Sequence, residues 1–399
     1  MILICIIQPI QKSMFQFLVS LAYSKKPVIL LPGLMGSVLS GDVTKKRYWY
    51  CPTVKDQQVW FNDDYVVPPT YYCLLDSVRL VWDEKLNNTK QPDYVNLTTV
   101  DFGGLNGINN VDTLGKDIHF VPYYKALVDR LVQEGYSERV DLFGAPFDWR
   151  FGLNLPQEFY NQFTALVEEA YKNNQNQKVT LIGHSMGGFF INHYLGRLMP
   201  KEWSQKYIDS AIFVAPAFGG SGIAFETQVT HKIPMLGLLG ELPETVCSIQ
   251  GIHIHMPNHV IFGDKPLGYK PDGQPLLARE MTDFLINQGY LTGDYIKMHN
   301  KMKPFFVDAP PQPPVPSAVI YNSGLPTIQG FDFRTSEREM IYGGGDMMVN
   351  EEGPEYVCNN WKNTSCLDLK SADLKNDNHI SVIYNKQVLE FIVNWIKNI

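Results

Sequence analysis

The chain has 399 residues, of which 45% are hydrophobic, 13% aromatic and 19% charged. This composition excludes a disordered or highly charged tail protein, and the length allows two to three domains or one large α/β domain with insertions. The net charge of −7 has the wrong sign for a protein that binds a phosphate backbone, so no nucleic-acid partner is expected.

The N-terminus predicts a targeting segment. Residues 1–24 contain two short apolar runs and end in Ala22-Tyr23-Ser24. Small residues before a cut after Ser24 are typical of a secretory signal peptide, and an uncut signal anchor is the alternative because no basic region precedes the first run.

The cysteines favour an oxidising compartment. Cys51 with Cys73 and Cys358 with Cys366 form local couples, which leaves Cys247 as a buried free thiol. No spacing is typical of a zinc site.

Three glycosylation sequons, at Asn87, Asn96 and Asn363, agree with that reading. Together with the leader they predict a glycoprotein of the secretory pathway, either secreted or lysosomal.

Apolar runs and amphipathic patterns alternate along the chain. Strands are predicted at 27–31, 140–143, 178–183, 208–214, 318–321 and 340–342, and helices at 123–134, 157–173, 186–198 and 382–396. Strands that are apolar on both faces and alternate with helices predict a mainly parallel sheet covered on both sides. Two stretches break the rhythm: 48–91 is aromatic and loop-like, and 218–316 is typical of a cap inserted before the final strands.

The sequence Gly183-His184-Ser185-Met186-Gly187 follows a predicted strand and begins a predicted helix. This is the context of a nucleophile elbow, in which Ser185 projects into the site and the glycines allow close backbone contact. The Met186 amide, at the start of the helix, is then one predicted donor to the oxyanion. The alternative is a Gly-rich turn with an incidental serine.

The acid and base of such a triad follow the nucleophile in chain order. His379 is the histidine that precedes the last predicted helix, and we predict it as the general base. Asp346 follows a predicted strand in a glycine-rich loop and is the predicted acid, with Asp377 as the alternative.

A second oxyanion donor is expected in the loop after the first core strand, and the Leu34 amide is the candidate. Its side chain is expected to line an acyl pocket.

A metal site is the competing interpretation of His253, His255 and His259, because two imidazoles two residues apart can share a strand face. No carboxylate or cysteine nearby completes a ligand set, so we predict neither a metal nor a cofactor.

These motifs resemble the lecithin:cholesterol acyltransferase and lysosomal phospholipase A family of α/β-hydrolases, over most of the chain from about residue 27. The matching segments are Pro27 to Gly33, Ala145-Pro146-Phe147-Asp148-Trp149-Arg150, the Ser185 elbow, Ala215-Pro216, Tyr321 to Thr327, Gly345-Asp346 and His379.

The resemblance implies an α/β-hydrolase with a mainly parallel central sheet. We predict core segments at 25–47, 96–216 and 313–399, a small lipid-docking subdomain at 48–95 and a cap or lid at 217–312. It also implies that a Cys51–Cys73 disulfide closes the docking loop, and that Trp60 and Phe61 contact the membrane.

Two departures from the family pattern bear on function. The stretch Gly344 to Val349 keeps the predicted acid but lacks an acidic and a hydroxyl neighbour, and Ala217-Phe218 stands where relatives carry a Trp. The orientation of Asp346 and the acyl acceptor are therefore open at the level of sequence.

The predicted function is transfer of a fatty acyl group from a glycerophospholipid, at a membrane or lipoprotein surface, to a sterol, another alcohol or water. One alternative is a phospholipase or lipase that only hydrolyses. Another is a catalytically silent lipid-binding protein, since a fold alone does not prove activity.

Overall fold

The computed structural model describes residues 25–45, 47–65, 69–112, 122–233 and 241–398. The predicted signal peptide at 1–24, and Cys5 within it, lie outside these residues. No helix in the described ranges is both long and apolar enough to cross a bilayer.

The strands of the described residues, in chain order, are β1 (Val28–Leu31), β2 (Leu39–Val43), β3 (Val54–Trp60), β4 (Val81–Asp83), β5 (Asn88–Lys90), β6 (Val95–Thr99), β7 (Leu142–Gly144), β8 (Val179–His184), β9 (Ile208–Val214), β10 (Pro266–Tyr269), β11 (Pro275–Leu277), β12 (Ser317–Tyr321), β13 (Leu325–Asp332), β14 (Glu339–Gly345) and β15 (Thr364–Asp368).

The α-helices are α1 (Tyr71–Val78), α2 (Asn106–Asn109), α3 (Lys125–Gln133), α4 (Gln157–Asn173), α5 (Met186–His193), α6 (Lys201–Tyr207), α7 (Gly222–Thr230), α8 (Pro243–Val246), α9 (Gln250–His253), α10 (His259–Phe262), α11 (Met281–Asn287), α12 (Asp294–Met302), α13 (Glu352–Asn360) and α14 (Lys386–Asn398).

The central sheet has six strands in the order β15-β12-β9-β8-β1-β7, and every pairing in it is parallel. β1 and β8 are buried along their whole length, because helices cover both faces of the sheet. The predicted parallel sheet is therefore confirmed. Its middle strand, β8, carries the chain directly to Ser185.

One predicted strand belongs to a different sheet. The run at 340–342 lies in β14, which pairs antiparallel with β13 at the edge of a four-stranded sheet of order β11-β10-β13-β14. Met340 is 42% and Tyr342 56% exposed, so these apolar residues mark an edge strand and not the core. The outer strand of the central sheet is instead β15, whose sequence is too polar and exposed for periodicity to reveal it.

Strand pairing also crosses two predicted domain boundaries. β2 lies in the predicted core segment 25–47, yet it pairs with β3 and β6 in a three-stranded sheet. The four-stranded sheet joins β10 and β11 of the predicted cap to β13 and β14 of the core. The stretch 48–91, expected to be loop-like, contains β3 and α1.

The structure contains disulfides between Cys51 and Cys73 and between Cys358 and Cys366, with Cα–Cα distances of 5.5 and 6.1 Å. Cys247 is a buried free thiol.

The predicted glycosylation sites Asn87, Asn96 and Asn363 all have exposed side chains.

The Cys51–Cys73 disulfide closes 22 residues of chain, so its loss increases the entropy of the unfolded state. The double variant Cys51→Ser, Cys73→Ser is expected to lose about 3 kcal/mol of unfolding free energy in urea titration. The shorter Cys358–Cys366 loop provides the matched control, with an expected loss of roughly 2.5 kcal/mol when both cysteines are replaced. An unchanged urea midpoint for the first variant would contradict this account.

Candidate active site

Ser185 stands on a strained turn between β8 and α5. Its backbone has φ 55° and ψ −123°, a region that non-glycine residues rarely adopt. The Ser185 N–H donates to the Val214 carbonyl at 2.9 Å, which ties the turn to the neighbouring strand β9. This is the strand–turn–helix geometry predicted for the nucleophile.

Two glycines permit this turn. A Cβ on Gly183 would lie 2.5 Å from the Gly187 carbonyl carbon, and a Cβ on Gly187 would lie 2.2 Å from the Leu31 carbonyl oxygen. Helix α5 therefore packs backbone to backbone against the end of β1.

His379 and Asp346 complete a hydrogen-bonded set with Ser185. The His379 Nε2 lies 2.9 Å from Ser185 Oγ, and its Nδ1 lies 2.7 Å from Asp346 Oδ2. All three residues are at least nine-tenths buried. The structure thus brings the predicted nucleophile, base and acid together in the order that proton transfer requires.

The orientation of Asp346, open from sequence, is fixed by backbone amides. Its Oδ1 accepts hydrogen bonds from the N–H groups of Met348 at 3.0 Å and Val349 at 2.7 Å. The Asp346 carbonyl also accepts from the His379 N–H at 2.9 Å. The alternative acid, Asp377, accepts from the Asn385 side chain instead and acts as a loop cap.

The loop after β1 passes beside the nucleophile. A Cβ on Gly33 would lie 2.8 Å from the Cβ of Ser185, so the next amide, that of Leu34, is held close to the reacting group. The Met186 amide begins α5, where the helix dipole favours negative charge. That these two amides are the oxyanion donors stays a prediction.

Ser185 and His379 open into a cavity of about 280 Å³. Most of its wall is apolar, and the wall residues come from the loop after β1, from the 48–95 segment, from the predicted cap and from the core segments that carry Tyr123, His184 and Val349. They include Leu34, Met35, Trp60, Phe61, Ile223, Ala224, Ile233, Ile252 and Val349. A deep apolar cavity with a few polar groups at one point suits an acyl chain whose ester lies at Ser185.

Trp60 corrects the prediction of membrane contact. It is 5% exposed, its Nε1 donates to the Met35 carbonyl at 2.8 Å, and its ring packs edge-on against Trp149 at 4.9 Å. Trp60 therefore faces the cavity, because the β2–β3 pairing turns it inward. Phe61 is half-buried and also lines the cavity.

Trp49 is the solvent-exposed tryptophan of the Cys51–Cys73 region, at 90% exposure. It lies between Tyr48 and Tyr50, and Tyr50 immediately precedes Cys51.

The Asp-Trp-Arg string has a structural role. Arg150 is fully buried and pairs with the Asp148 carboxylate at 2.6 and 2.8 Å, and it also donates to Gln91 at 3.0 Å. Trp149 donates to the Ser37 carbonyl at 3.3 Å. The Trp149 contact connects the segment after β7 to the loop after β1, and the Arg150 contact connects it to the segment after β5.

The histidine cluster does not form a metal site. His253 uses Nδ1 in a 3.0 Å hydrogen bond with His299 and Nε2 in a 2.9 Å hydrogen bond with the Cys247 carbonyl. Burial lowers the pKa of His253 to about 4, so this pair stays neutral near pH 7. Within the described ranges no group of three His, Cys, Asp or Glu side chains could hold a metal.

Sequence analysis missed Tyr123 and gave no role to His184. Both line the cavity beside Ser185 and are hydrogen-bonded to each other, and burial lowers the pKa of His184 to about 3. The two consecutive tyrosines at the start of the predicted helix 123–134 are the sequence feature that could have drawn attention to this position.

The all-parallel sheet and the strained Ser185 turn define the class of this protein as an α/β-hydrolase. A family model for lecithin:cholesterol acyltransferase matches residues 56–231. The lysosomal phospholipase A and acyltransferase of Rattus norvegicus is 25% identical over 376 residues, which is 92% of this chain and 89% of the relative. The phosphatidylcholine-sterol acyltransferase of Gallus gallus is 25% identical over 379 residues, with the same coverage of 92% and 89%.

Over 92% of its length the chain is therefore similar to the lysosomal phospholipase A and acyltransferase and to the phosphatidylcholine-sterol acyltransferase. Among solved structures, the mature lipase BlEst2 of Bacillus licheniformis is 12% identical and covers 94% of this chain and 92% of its own, with a TM-score of 0.37.

The contact of Gly187 with β1 predicts a stability effect. Gly187→Ala is expected to lower the free energy of unfolding by about 3 kcal/mol, because its Cβ would overlap the Leu31 carbonyl and force β1 and α5 apart. Gly188→Ala is the matched control, since its Cβ would meet its nearest neighbour, a Pro216 side-chain atom, at 3.3 Å. Equal losses for the two variants in urea unfolding would refute the packing argument.

Proposed function

We propose that this protein cleaves a fatty acyl ester of a glycerophospholipid through an acyl-serine at Ser185 and transfers the acyl group to an alcohol or to water. The observation that carries this proposal is the hydrogen-bonded set of Ser185, His379 and Asp346, of which Ser185 and His379 lie in the wall of an apolar cavity. The names of the family relatives, a phospholipase A and acyltransferase and a phosphatidylcholine-sterol acyltransferase, support the same chemistry.

The first half of the reaction forms the acyl-enzyme. Ser185 Oγ attacks the ester carbonyl carbon while its proton moves to His379 Nε2, and the Leu34 and Met186 amides donate to the oxyanion. The bond to the lysolipid oxygen then breaks, and His379 gives its proton to that oxygen. Asp346 accepts from Nδ1–H throughout, which keeps the lone pair of Nε2 directed at Ser185.

The second half repeats these steps with a different nucleophile. An alcohol or water gives its proton to His379 Nε2 and attacks the acyl carbon, and Ser185 Oγ recovers the proton as it leaves. Transfer and hydrolysis differ only in which O–H enters the cavity. Its apolar wall favours an alcohol with a hydrophobic body, such as a sterol, over water.

The hydrogen-bonded set also weighs against a silent lipid-binding protein. Lipid binding alone does not require an imidazole held between a buried carboxylate and a serine on a strained turn. The two disulfides and the exposed sequons support a location in the secretory pathway, either secreted or lysosomal.

Acyl-labelled phosphatidylcholine in liposomes, offered together with a sterol and a short-chain alcohol, tests the reaction. We expect label in free fatty acid and in at least one ester, and none above background with Ser185→Ala. Label in free acid alone would identify a phospholipase. Equal label with wild type and Ser185→Ala would refute the site.

We further propose that Trp49 docks the protein on lipid, because an exposed indole gains free energy at a membrane interface. Trp49→Ala is expected to weaken co-sedimentation with phosphatidylcholine liposomes severalfold and to spare hydrolysis of soluble p-nitrophenyl butyrate.

Tyr342→Ala, which removes a 56% exposed aromatic residue on β14, is the matched control and should leave both measurements unchanged. Parallel loss of liposome binding and soluble activity in Trp49→Ala would indicate a folding defect and exclude this docking role.

A further inference from the structure

A buried chain of hydrogen bonds runs behind the triad and connects the three segments that carry it. The Gly33 N–H lies 2.7 Å from the Tyr123 hydroxyl, and that hydroxyl lies 2.5 Å from His184 Nδ1. On the other side of the imidazole, His184 Nε2 lies 2.8 Å from the His379 carbonyl oxygen. This hydrogen-bond network therefore connects the loop that carries Leu34, the nucleophile elbow at His184 and the backbone of His379.

The direction of each hydrogen bond follows from its chemistry. The His379 carbonyl can only accept, so the proton of the neutral His184 ring is on Nε2. Nδ1 then accepts from the Tyr123 hydroxyl, which leaves the phenol oxygen free to accept from the Gly33 amide. Each of the four polar groups in this hydrogen-bond network has a partner. A fully paired buried network of this kind rigidifies its surroundings.

Burial keeps this pattern constant near pH 7. Desolvation, with a smaller contribution from His379, lowers the pKa of His184 to about 3, so its ring does not gain the second proton that would remove its acceptor. Desolvation also raises the pKa of the Tyr123 phenol well above its usual range, so the hydroxyl keeps its proton.

Tyr123 also shapes the oxyanion loop by direct contact. A Cβ on Gly36 would lie 2.8 Å from the Tyr123 ring, and a Cβ on Gly33 would lie 3.0 Å from its hydroxyl oxygen. The loop between these glycines carries Leu34 and is closed by a hydrogen bond from the Gly36 N–H to the Gly33 carbonyl. The tyrosine is itself held, because Tyr384 donates to its backbone carbonyl at 2.7 Å.

We propose that Tyr123 and His184 are positioning residues, which hold the Leu34 amide and the His379 backbone at fixed positions relative to Ser185. This inference rests on the role proposed for Ser185 but not on the identity of the lipid. An oxyanion donor acts at about 2.7–3.1 Å from the oxyanion, so a loop released from the Tyr123 hydroxyl stabilises the transition state less, while the aromatic ring still lines the cavity.

Tyr123→Phe tests this role, because it removes one oxygen atom and leaves the ring in contact with the loop. With p-nitrophenyl butyrate we expect kcat to fall roughly 10- to 100-fold while KM changes less than about twofold. The inhibition constant of a boronic acid, which forms a tetrahedral adduct at Ser185, should rise by a similar factor. Binding of a non-hydrolysable ether phospholipid should not change.

Tyr124→Phe is the matched control. Tyr124 is also buried, and its hydroxyl also makes two hydrogen bonds, to the Leu31 carbonyl and from the His184 N–H, but both partners are backbone atoms of the central sheet. It should lose a similar unfolding free energy and keep its kcat. Equal loss of kcat in both variants, or no loss in Tyr123→Phe, would overturn the inference.

A second variant separates the phenol from the imidazole. His184→Phe is expected to lower kcat as well, and the double variant Tyr123→Phe, His184→Phe should lose less than the product of the two single losses, because one network is broken twice. Independent, multiplicative losses would show that the two residues do not act together. Absence of any Ser185-dependent turnover in wild type would refute the active site itself, whereas turnover without phospholipid cleavage would refute only the proposed substrate.

Discussion

The site depends on one close contact, between Gly187 on α5 and the carbonyl oxygens of Leu31 and Pro32 at the end of β1. A helix that approaches a strand this closely can follow β8 only through a sharp turn, and Ser185 takes the strained conformation that the turn imposes. The same contact brings the β1 loop to the side of Ser185. This packing interaction thus places the nucleophile and brings both proposed oxyanion donors beside it, and the Tyr123 hydroxyl adds a hydrogen bond to the loop that carries Leu34.

Much of this arrangement could be predicted from sequence, because its causes are local. Two glycines that flank a serine between a strand and a helix are typical of the sharp turn of a nucleophile elbow. The order of nucleophile, acid and base along the chain then left few candidates, and Asp346 and His379 lie within hydrogen-bond distance of one another. The parallel strands were visible because they are apolar on both faces.

The features that sequence missed depend on contacts between distant segments. The burial of Trp60 is decided by the pairing of β3 with β2, which no local pattern reports. The apolar run in β14 has the same composition as a core strand and differs only in its neighbours. Tyr123 gains a role only because the fold places it between Gly33 and His184, 90 and 61 residues away.

The four-stranded sheet has a consequence for the position of the acid. β14 leads directly into Asp346, and its partner β13 packs so tightly against β10 that a Cβ on Gly330 would lie 1.9 Å from the Leu267 carbonyl oxygen. The four-stranded sheet thus joins two strands of the predicted cap directly to the strand that ends at the carboxylate orienting the base. A sequence change that moves β10 or β13 is therefore expected to move Asp346 as well, so changes in this sheet alter the hydrogen bond that orients His379.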